Sequence, residues 1–466
     1  MDYDVLIIGS GPAGQHAAWQ AARMGKRAAI VERKPKIGGA GLQTGTIPSK
    51  AMREAAYVAS RAGSEGMRLL SAPDSRQRHG LLAEAVRRKN QVIAQQESVI
   101  LQRLMNSGVA LIPGEASLLD PHTVQVSGHA GAQQKLSAEI IVLATGSRPR
   151  RPTEIPFDKK QVLDSTSILH LNYLPESLIV VGGGVIACEF ISIFAALGVH
   201  VSVVDSHAQL LAYLSEDLVS VLTHSFRNLG VTLHMSERVR GIRHESGRPL
   251  IILESGTQLS ADAVLYAQGR QPNSERLELG RAGVVSQNGW IEVNDHFQTS
   301  VQNIYAVGDL IGRPALASTG MEQGRAAVLH AFGGETQVTA ENLPMAIYTI
   351  PEISCVGMTE RDVQQANLNY VVGRAYFRDS ARGQIIGDTH GLLKLVVNAK
   401  NEKLLGVHIV GEQASELIHI GQLVMNLNGS VRDLVSNVFN YPTLAECYKL
   451  AALDCLHQIK LIGRTK

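Results

Sequence analysis

Asp4-Val-Leu-Ile-Ile8 runs straight into Gly9-Ser-Gly11-Pro-Ala-Gly14, and this stretch decides the fold. An unbroken apolar run of this length reads as a parallel strand buried on both faces. Each of the three glycines after it has a physical task. The first permits a tight turn, the second lets the backbone approach a pyrophosphate, and the third allows close helix packing. The alanine-rich segment His16 to Met24 then reads as a helix, and Arg27 to Val31 as a second strand ending in Glu32. An acidic residue at that spacing accepts hydrogen bonds from an adenosine ribose, so the pattern predicts a βαβ dinucleotide-binding unit.

The pattern recurs further along. Leu178 to Val181 is a strand, Gly182-Gly-Gly184-Val-Ile-Ala187 the turn, Cys188 to Leu197 a helix, and Val199 to Val204 a strand ending in Asp205. One G-x-G-x-x-G is weak evidence, whereas two, each between strand and helix and each with its acid, predict two dinucleotide sites. Asp205 can accept both ribose hydroxyls of NAD(H) and would repel the 2′-phosphate of NADP(H), and the following Ser206 and His207 provide no arginine. NAD(H) is therefore expected to be preferred over NADP(H), although Ala187 in place of a third glycine pulls the other way.

Between the two units, Lys50 to Met105 reads as largely helical with a loop at Ser71 to Ser75, and Val109 to Val126 and Lys135 to Leu143 as short strands. Boundaries fall at the proline-containing run Pro149 to Pro156 and near Gly269-Arg-Gln-Pro-Asn273, after the strand Ala263 to Tyr266. The remainder alternates strands and helices without a phosphate turn. A chain of 466 residues exceeds one core and suggests three domains. Apolar residues at 45% argue against extensive disorder, and a formal charge of +2 argues against nucleic acid as a partner. No apolar stretch reaches membrane-spanning length, and the N-terminus lacks a signal-peptide pattern, so neither membrane insertion nor export is expected and the location is read as cytoplasmic. Cys188, Cys355, Cys447 and Cys455 have neither redox-pair nor zinc spacing and read as buried free thiols. No cluster has metal spacing. His419 lies in an apolar helical pattern and reads as a core or interface histidine.

Five ordered motifs carry a resemblance across essentially the whole chain. They are the first glycine turn, Gly45-Thr46-Ile-Pro-Ser-Lys50, Ala144-Thr-Gly146, Gly269-Arg-Gln-Pro-Asn273 and Thr299 to Asp309, a strand ending in Gly308-Asp309. In these the chain resembles the two-dinucleotide-binding flavoproteins, the family of glutathione reductase and lipoamide dehydrogenase. The resemblance implies an α/β fold with two Rossmann-like dinucleotide-binding domains and a C-terminal α+β dimerisation domain. FAD would occupy a discontinuous domain of residues 1–150 and 275–342, and a nicotinamide nucleotide substrate residues 151–274. Residues 343–466 would form the interface of a homodimer. Asp309 would hold the ribityl chain, with Thr46, Gly146, Ala317 and Gly269 in the cofactor-binding set. Lys50 would stand beside flavin N5, paired with Glu189 on the helix after the second glycine turn, as the catalytic pair.

The departures from the family are as informative. Its disulfide reductases carry two cysteines where this chain has Gly41 and Thr46, and a His-Pro where this chain has Tyr441-Pro442, followed by Glu446. Glycine and threonine cannot exchange thiols, and at neutral pH a phenol is a poor base in place of an imidazole. Within the family the chain is most similar to the soluble pyridine nucleotide transhydrogenases, in the Pro-Ser-Lys segment, Leu210 to Leu214, Thr349 to Ser354 and Phe439 to Glu446. That group keeps the first cysteine, which is Gly41 here. The expected activity is hydride transfer from NAD(P)H through FAD to a second acceptor. One reading takes that acceptor as another nicotinamide nucleotide; a second takes a quinone, metal or electron carrier, as in a diaphorase. A third is a non-catalytic flavin redox sensor.

Overall fold

The computed structural model describes residues 1–65, 75–128, 131–312, 314–335 and 342–464. They fall into two compact units. The first comprises Met1–Ala55, Leu82–Asn172 and Ala267–Val338, and the second Ala56–Leu81, Tyr173–Tyr266 and Thr339–Lys466.

In the first unit, parallel strands run in the order Ala110–Pro113, Ala28–Glu32, Tyr3–Ile8, Gln133–Leu143 and Ile304–Ala306. Strand Tyr3–Ile8 lies mid-sheet, which explains its unbroken apolarity. Val5 and Ile7 enter a core with Ala17, Ile30 and Val142, while Leu6 and Ile8 enter a second core with Val31, Leu118 and Leu143. Alternation along the strand thus serves two layers. The segment expected as short strands from Val109 is three strands. Two of them, Glu115–Leu118 and Thr123–Ser127, form an antiparallel ribbon that continues onto Gln133–Leu143. Of the motif Thr299 to Asp309 only Ile304–Ala306 is strand, and Gly308–Ile311 is a 3₁₀ turn. The helices Thr46–Glu65 and Ser75–Asn106 match the helical reading of this region; of the expected loop, Ser71 to Asp74 lie outside the described residues.

In the second unit, parallel strands run Thr232–Met235, His200–Asp205, Ser177–Val181 and Ala263–Tyr266, with helices Val185–Ala196 and Glu216–Asn228. The first helix begins at Val185, three residues before the expected Cys188, because the end of the glycine motif is itself its first turn. The C-terminal part is an antiparallel sheet in the order Met345–Ile347, Ile353–Gly357, Leu404–Val410, Leu392–Asn398, Tyr370–Tyr376, packed with helices Ala414–Asn426 and Glu446–Arg464. The sequence thus forms the expected α/β architecture with a C-terminal α+β portion. His419 is exposed, its Nδ1 2.9 Å from Gln422 Oε1, and so is no core residue of this chain.

One buried ionic cluster joins the two parts of this unit. Lys394 is fully buried, with Nζ 2.7 Å from Asp217 Oδ1 and 3.1 Å from Glu360 Oε1. Its cross-strand neighbours are Arg374 and His408. His408 is also buried, and burial pushes its imidazole down to about 4. A buried cation of this kind requires such partners.

Candidate functional site

The three glycines of the first turn differ in the space around them. Gly9 has φ +108°, and a Cβ there would lie 2.5 Å from Ala144 O, so no side chain fits. At Gly14 a Cβ would fall 2.0 Å from Gly9 O. Gly11 is different: the nearest heavy atom to its Cβ position is Gly39 Cα, 4.0 Å away. It is also the N-cap of helix Pro12–Arg23 and makes no side-chain cap, so the positive end of the helix faces this open surface. The fit to a dinucleotide pyrophosphate is chemical as well as spatial, because uncapped N–H groups favour an anion. Glu32 closes the turn. Its Oε2 accepts from Ser10 N at 3.0 Å and Ser10 Oγ at 2.6 Å, and its Oε1 from Lys34 N at 2.8 Å. Ser10 Oγ in turn accepts from Gly38 N. Sequence reasoning missed Ser10 because it stands at a variable position of the motif.

Two motifs distant in sequence meet in this unit. Ser147–Pro149 and Arg270–Pro272 pair as an antiparallel ribbon flanked by Gly146 and Gly269. Asn273 Nδ2 donates to Thr145 O, Thr145 Oγ1 donates to Asn273 O, and Asn273 N donates to Gly146 O. The ribbon bears on Asp309, whose Oδ2 accepts from Ser147 Oγ at 2.7 Å and lies 3.6 Å from Arg270 Nε. Arg270 donates from Nε to Ser147 Oγ and from its terminal nitrogen to Ser147 O. Burial lowers its pKa, with the Asp309 charge opposing. Arg270 and Ser147 therefore orient Asp309. Arg270 stands inside the motif Gly269 to Asn273 and Ser147 directly follows Ala144-Thr-Gly146, but only the fold shows their target. Ala317 opens helix Ala317–Ala331, whose N-cap makes no side-chain bond. That helix lies tight on the first one: a Cβ at Gly324 would fall 2.1 Å from Ala13 O.

The second turn repeats the first. Gly182 has φ +120°, Gly184 is an N-cap without a side-chain cap, and a Cβ on Gly184 would meet nothing within 4 Å. Ala187, at the third position, is completely buried. Asp205 Oδ2 accepts from Gly183 N at 2.5 Å. Its Oδ1 accepts from His207 N at 2.8 Å and lies 2.7 Å from His207 Nδ1. The imidazole contact is what sequence spacing could not foresee.

Lys50 lies half-buried on helix Thr46–Glu65. Glu189 is buried on helix Val185–Ala196, where its Oε1 accepts from Tyr348 N at 3.1 Å. Thr46 is exposed at the start of its helix, and Gly41 sits on a separate short helix, Gly39–Gln43. A Cβ on Gly41 would lie 2.8 Å from Pro12 Cγ. Tyr441 is exposed. Cys447 is fully buried, and that burial pushes its thiol up to about 12, well away from a reactive thiolate. Cys188 and Cys455 are also buried, and Cys355 is half-buried; all four thiols are free.

Comparison with known proteins agrees with this geometry. The family described as pyridine nucleotide-disulphide oxidoreductase matches residues 3–324, and its dimerisation domain matches residues 343–452. A soluble pyridine nucleotide transhydrogenase of Mycobacterium bovis is 45% identical over 465 residues, covering 99% of each chain. One from Pseudomonas putida is 40% identical over 463 residues, covering 98% of this chain and 99% of that one. Among solved structures, LpdA from Mycobacterium tuberculosis superposes with a TM-score of 0.89 at 27% identity, covering 96% of this chain and 98% of the other. The HOCl-induced flavoprotein disulfide reductase RclA from Escherichia coli gives 0.87 at 27%, covering 97% and 99%. Among the described residues no helix is long and apolar enough to cross a membrane. The chain belongs to the pyridine nucleotide-disulphide oxidoreductase family and is an FAD-dependent pyridine nucleotide oxidoreductase.

Proposed function

We propose that this chain is a soluble transhydrogenase that works without a redox disulfide, taking hydride from one nicotinamide nucleotide and delivering it to another. The observation that carries the reading is the pair of glycine cradles. In each, the second glycine faces open space at an uncapped helix N-terminus and the acid at the end of the next strand holds the turn. The full-length likeness to transhydrogenases and the lack of sulfur at Gly41 and Thr46 support the same reading.

FAD, when bound, accepts a hydride from one nicotinamide and yields the electron pair to the next acceptor. In this assignment the backbone around Gly9, Gly11 and Gly14 and the helix N-terminus hold its pyrophosphate, and Glu32 its adenosine ribose. Asp309, oriented by Ser147 and Arg270, holds the ribityl chain, with Thr46, Gly146, Gly269 and the helix end at Ala317 completing the site. Lys50 supplies a fixed positive charge beside the reacting ring, which favours the reduced anionic form. Its pairing with Glu189 rests on the family resemblance, as the two residues belong to different compact units. Gly182, Gly184, Ala187 and Asp205 hold the nicotinamide nucleotide, with NAD(H) preferred over NADP(H). Residues 1–150 with 275–342, 151–274 and 343–466 are taken as the three domains. We assign the protein to the cytoplasm and to a homodimer; exposed Leu423, Leu427 and Val438 on the C-terminal part support a second copy there.

The test is an acceptor panel. With NADPH as donor, thio-NAD⁺ should be reduced at a rate matching flavin reduction by stopped flow. A diaphorase would instead turn over quinones or dyes and leave thio-NAD⁺ untouched.

A further inference from the structure

The acid of the second cradle is not the group that an incoming ribose would meet first. Asp205 takes three donors, Gly183 N, His207 N and His207 Nδ1, and its side chain is only 10% exposed. An ionised carboxylate offers about four acceptor directions, so most of this one's capacity is used. The imidazole that covers it is 67% exposed. We propose that His207 is the specificity residue at the 2′-position of the bound nucleotide, and that its protonation sets the balance between NAD(H) and NADP(H). The inference rests on the reading of the second cradle as the nicotinamide nucleotide site.

The chemistry follows from the tautomer. Asp205 can only accept, so the hydrogen between the two groups is carried by His207 Nδ1. In the neutral ring this leaves Nε2 as an acceptor, which can take a hydrogen bond from the ribose 2′-hydroxyl of NAD(H). In the protonated ring Nε2 becomes a donor, and the added charge offsets that of Asp205. The exposed edge then suits a 2′-phosphate, because the bond to it is charge-assisted. One side chain can thus serve either nucleotide, which a transhydrogenase needs and a bare carboxylate would not provide.

Ser206, Ala208 and Gln209, on the loop of His207, do not titrate. The segment packed beside it donates from Ser236 N to His207 O and from Glu237 N to Asp205 O, and brings one carboxylate, Glu237, and one guanidinium, Arg238. The first cradle is an internal comparison. Glu32 is likewise held by an amide of the glycine turn, Ser10 N, and by the amide two residues on, Lys34 N. The residue at the place of His207 there is Lys34, which has no ring to lay across the acid.

The experiment measures kcat/KM for NADPH and for NADH on the flavin-loaded enzyme between pH 5.5 and 8.5, with one artificial one-electron acceptor. A phosphate monoester takes up a second proton near pH 6, so His207→Gln is run in parallel to report that background. We expect the NADPH-to-NADH ratio of the wild type to rise about tenfold from pH 8.5 to 5.5, and that of His207→Gln by less than about threefold. His207→Arg should hold a high ratio throughout, because arginine stays charged. Parallel profiles in wild type and His207→Gln, or no gain for NADPH in His207→Arg, would overturn the assignment while leaving the nucleotide site standing. Failure of both nucleotides to reduce the flavin is a different result; it removes the proposed function and this inference with it.

Discussion

Replacing single glycines by alanine separates the two cradles and their roles. Gly11 has φ −66° and ψ 176°, an ordinary extended conformation, and a Cβ there has no neighbour closer than 4.0 Å. Gly11→Ala should therefore fold normally and gain about 0.4–1 kcal/mol, because alanine restricts the unfolded chain. In the proposed assignment, however, its methyl group meets the pyrophosphate. Loss of one or two charge-assisted hydrogen bonds costs about 1.5–3 kcal/mol each, which weakens FAD binding by roughly tenfold to twenty-thousandfold. Gly14→Ala places its Cβ 2.0 Å from Gly9 O and 3.1 Å from Ile7 Cγ2, so strand and helix must separate. Overpacking of this kind costs about 1–3 kcal/mol, and the apoprotein itself should melt earlier. Gly184→Ala has the open geometry of Gly11→Ala, in the other cradle. It should retain flavin and raise the KM for the nicotinamide nucleotide. The assay is flavin content by absorbance, apoprotein Tm, and titration of apoprotein with FAD. Full flavin with wild-type affinity in Gly11→Ala, or flavin loss in Gly184→Ala, would refute the assignment of the two sites.

Lys50→Met should retain FAD, since other residues hold the cofactor, but slow its reduction. Loss of one preorganised charge is worth about 2–4 kcal/mol, so stopped-flow rates should fall roughly tenfold to a thousandfold. An anaerobic titration should consume one hydride equivalent per FAD and show no thiolate-to-flavin charge-transfer band; a second electron pair taken up would mean that a disulfide had been overlooked. His408 adds a pH dependence to stability. Its folded pKa is lowered from 6.5 to about 4, so the unfolded chain binds the proton first as pH falls. This contribution is full above pH 6.5 and is lost on acidification toward pH 4, on the order of 3 kcal/mol. Urea unfolding of His408→Gln should show a flatter pH profile than wild type over that range, and equal slopes would count against a neutral buried imidazole.

Much of the fold was legible because it is written in short-range patterns. A buried parallel strand, a glycine turn and an acid lie within about thirty residues of each other, and steric rules fix their order. The limits of the motif from Thr299 to Asp309 were less legible, since only pairing with Gln133–Leu143 decides where the strand stops. The side-chain wiring was not legible at all. Arg270 reaches Ser147 and Asp309 across large separations in sequence, and Asp205 meets His207 through a loop conformation that no spacing rule encodes. His419 was legible only as core or interface, and the helix turns that side chain outward, which removes the first of the two.

The absence of sulfur at position 41 is built into the packing as well as the sequence. Gly41 lies against the ring of Pro12, and the Cβ of a cysteine would stand 2.8 Å from Pro12 Cγ and 3.2 Å from Cδ. Pro12 is also the first residue of the helix after the first glycine turn, where its missing N–H is no loss and its φ is already helical. A proline at this point cannot rotate away as a long side chain would, so a cysteine at 41 requires the helix start or the short helix Gly39–Gln43 to move. Both elements border the open face of Gly11. Restoring a thiol would thus disturb the surface proposed to receive the pyrophosphate. Thr46 begins another helix beyond a break at Thr44 and Gly45. In this chain the segment that carries the redox pair in disulfide reductases instead borders the proposed cofactor cradle. In the proposed function a second nicotinamide nucleotide takes the electrons without any thiol relay.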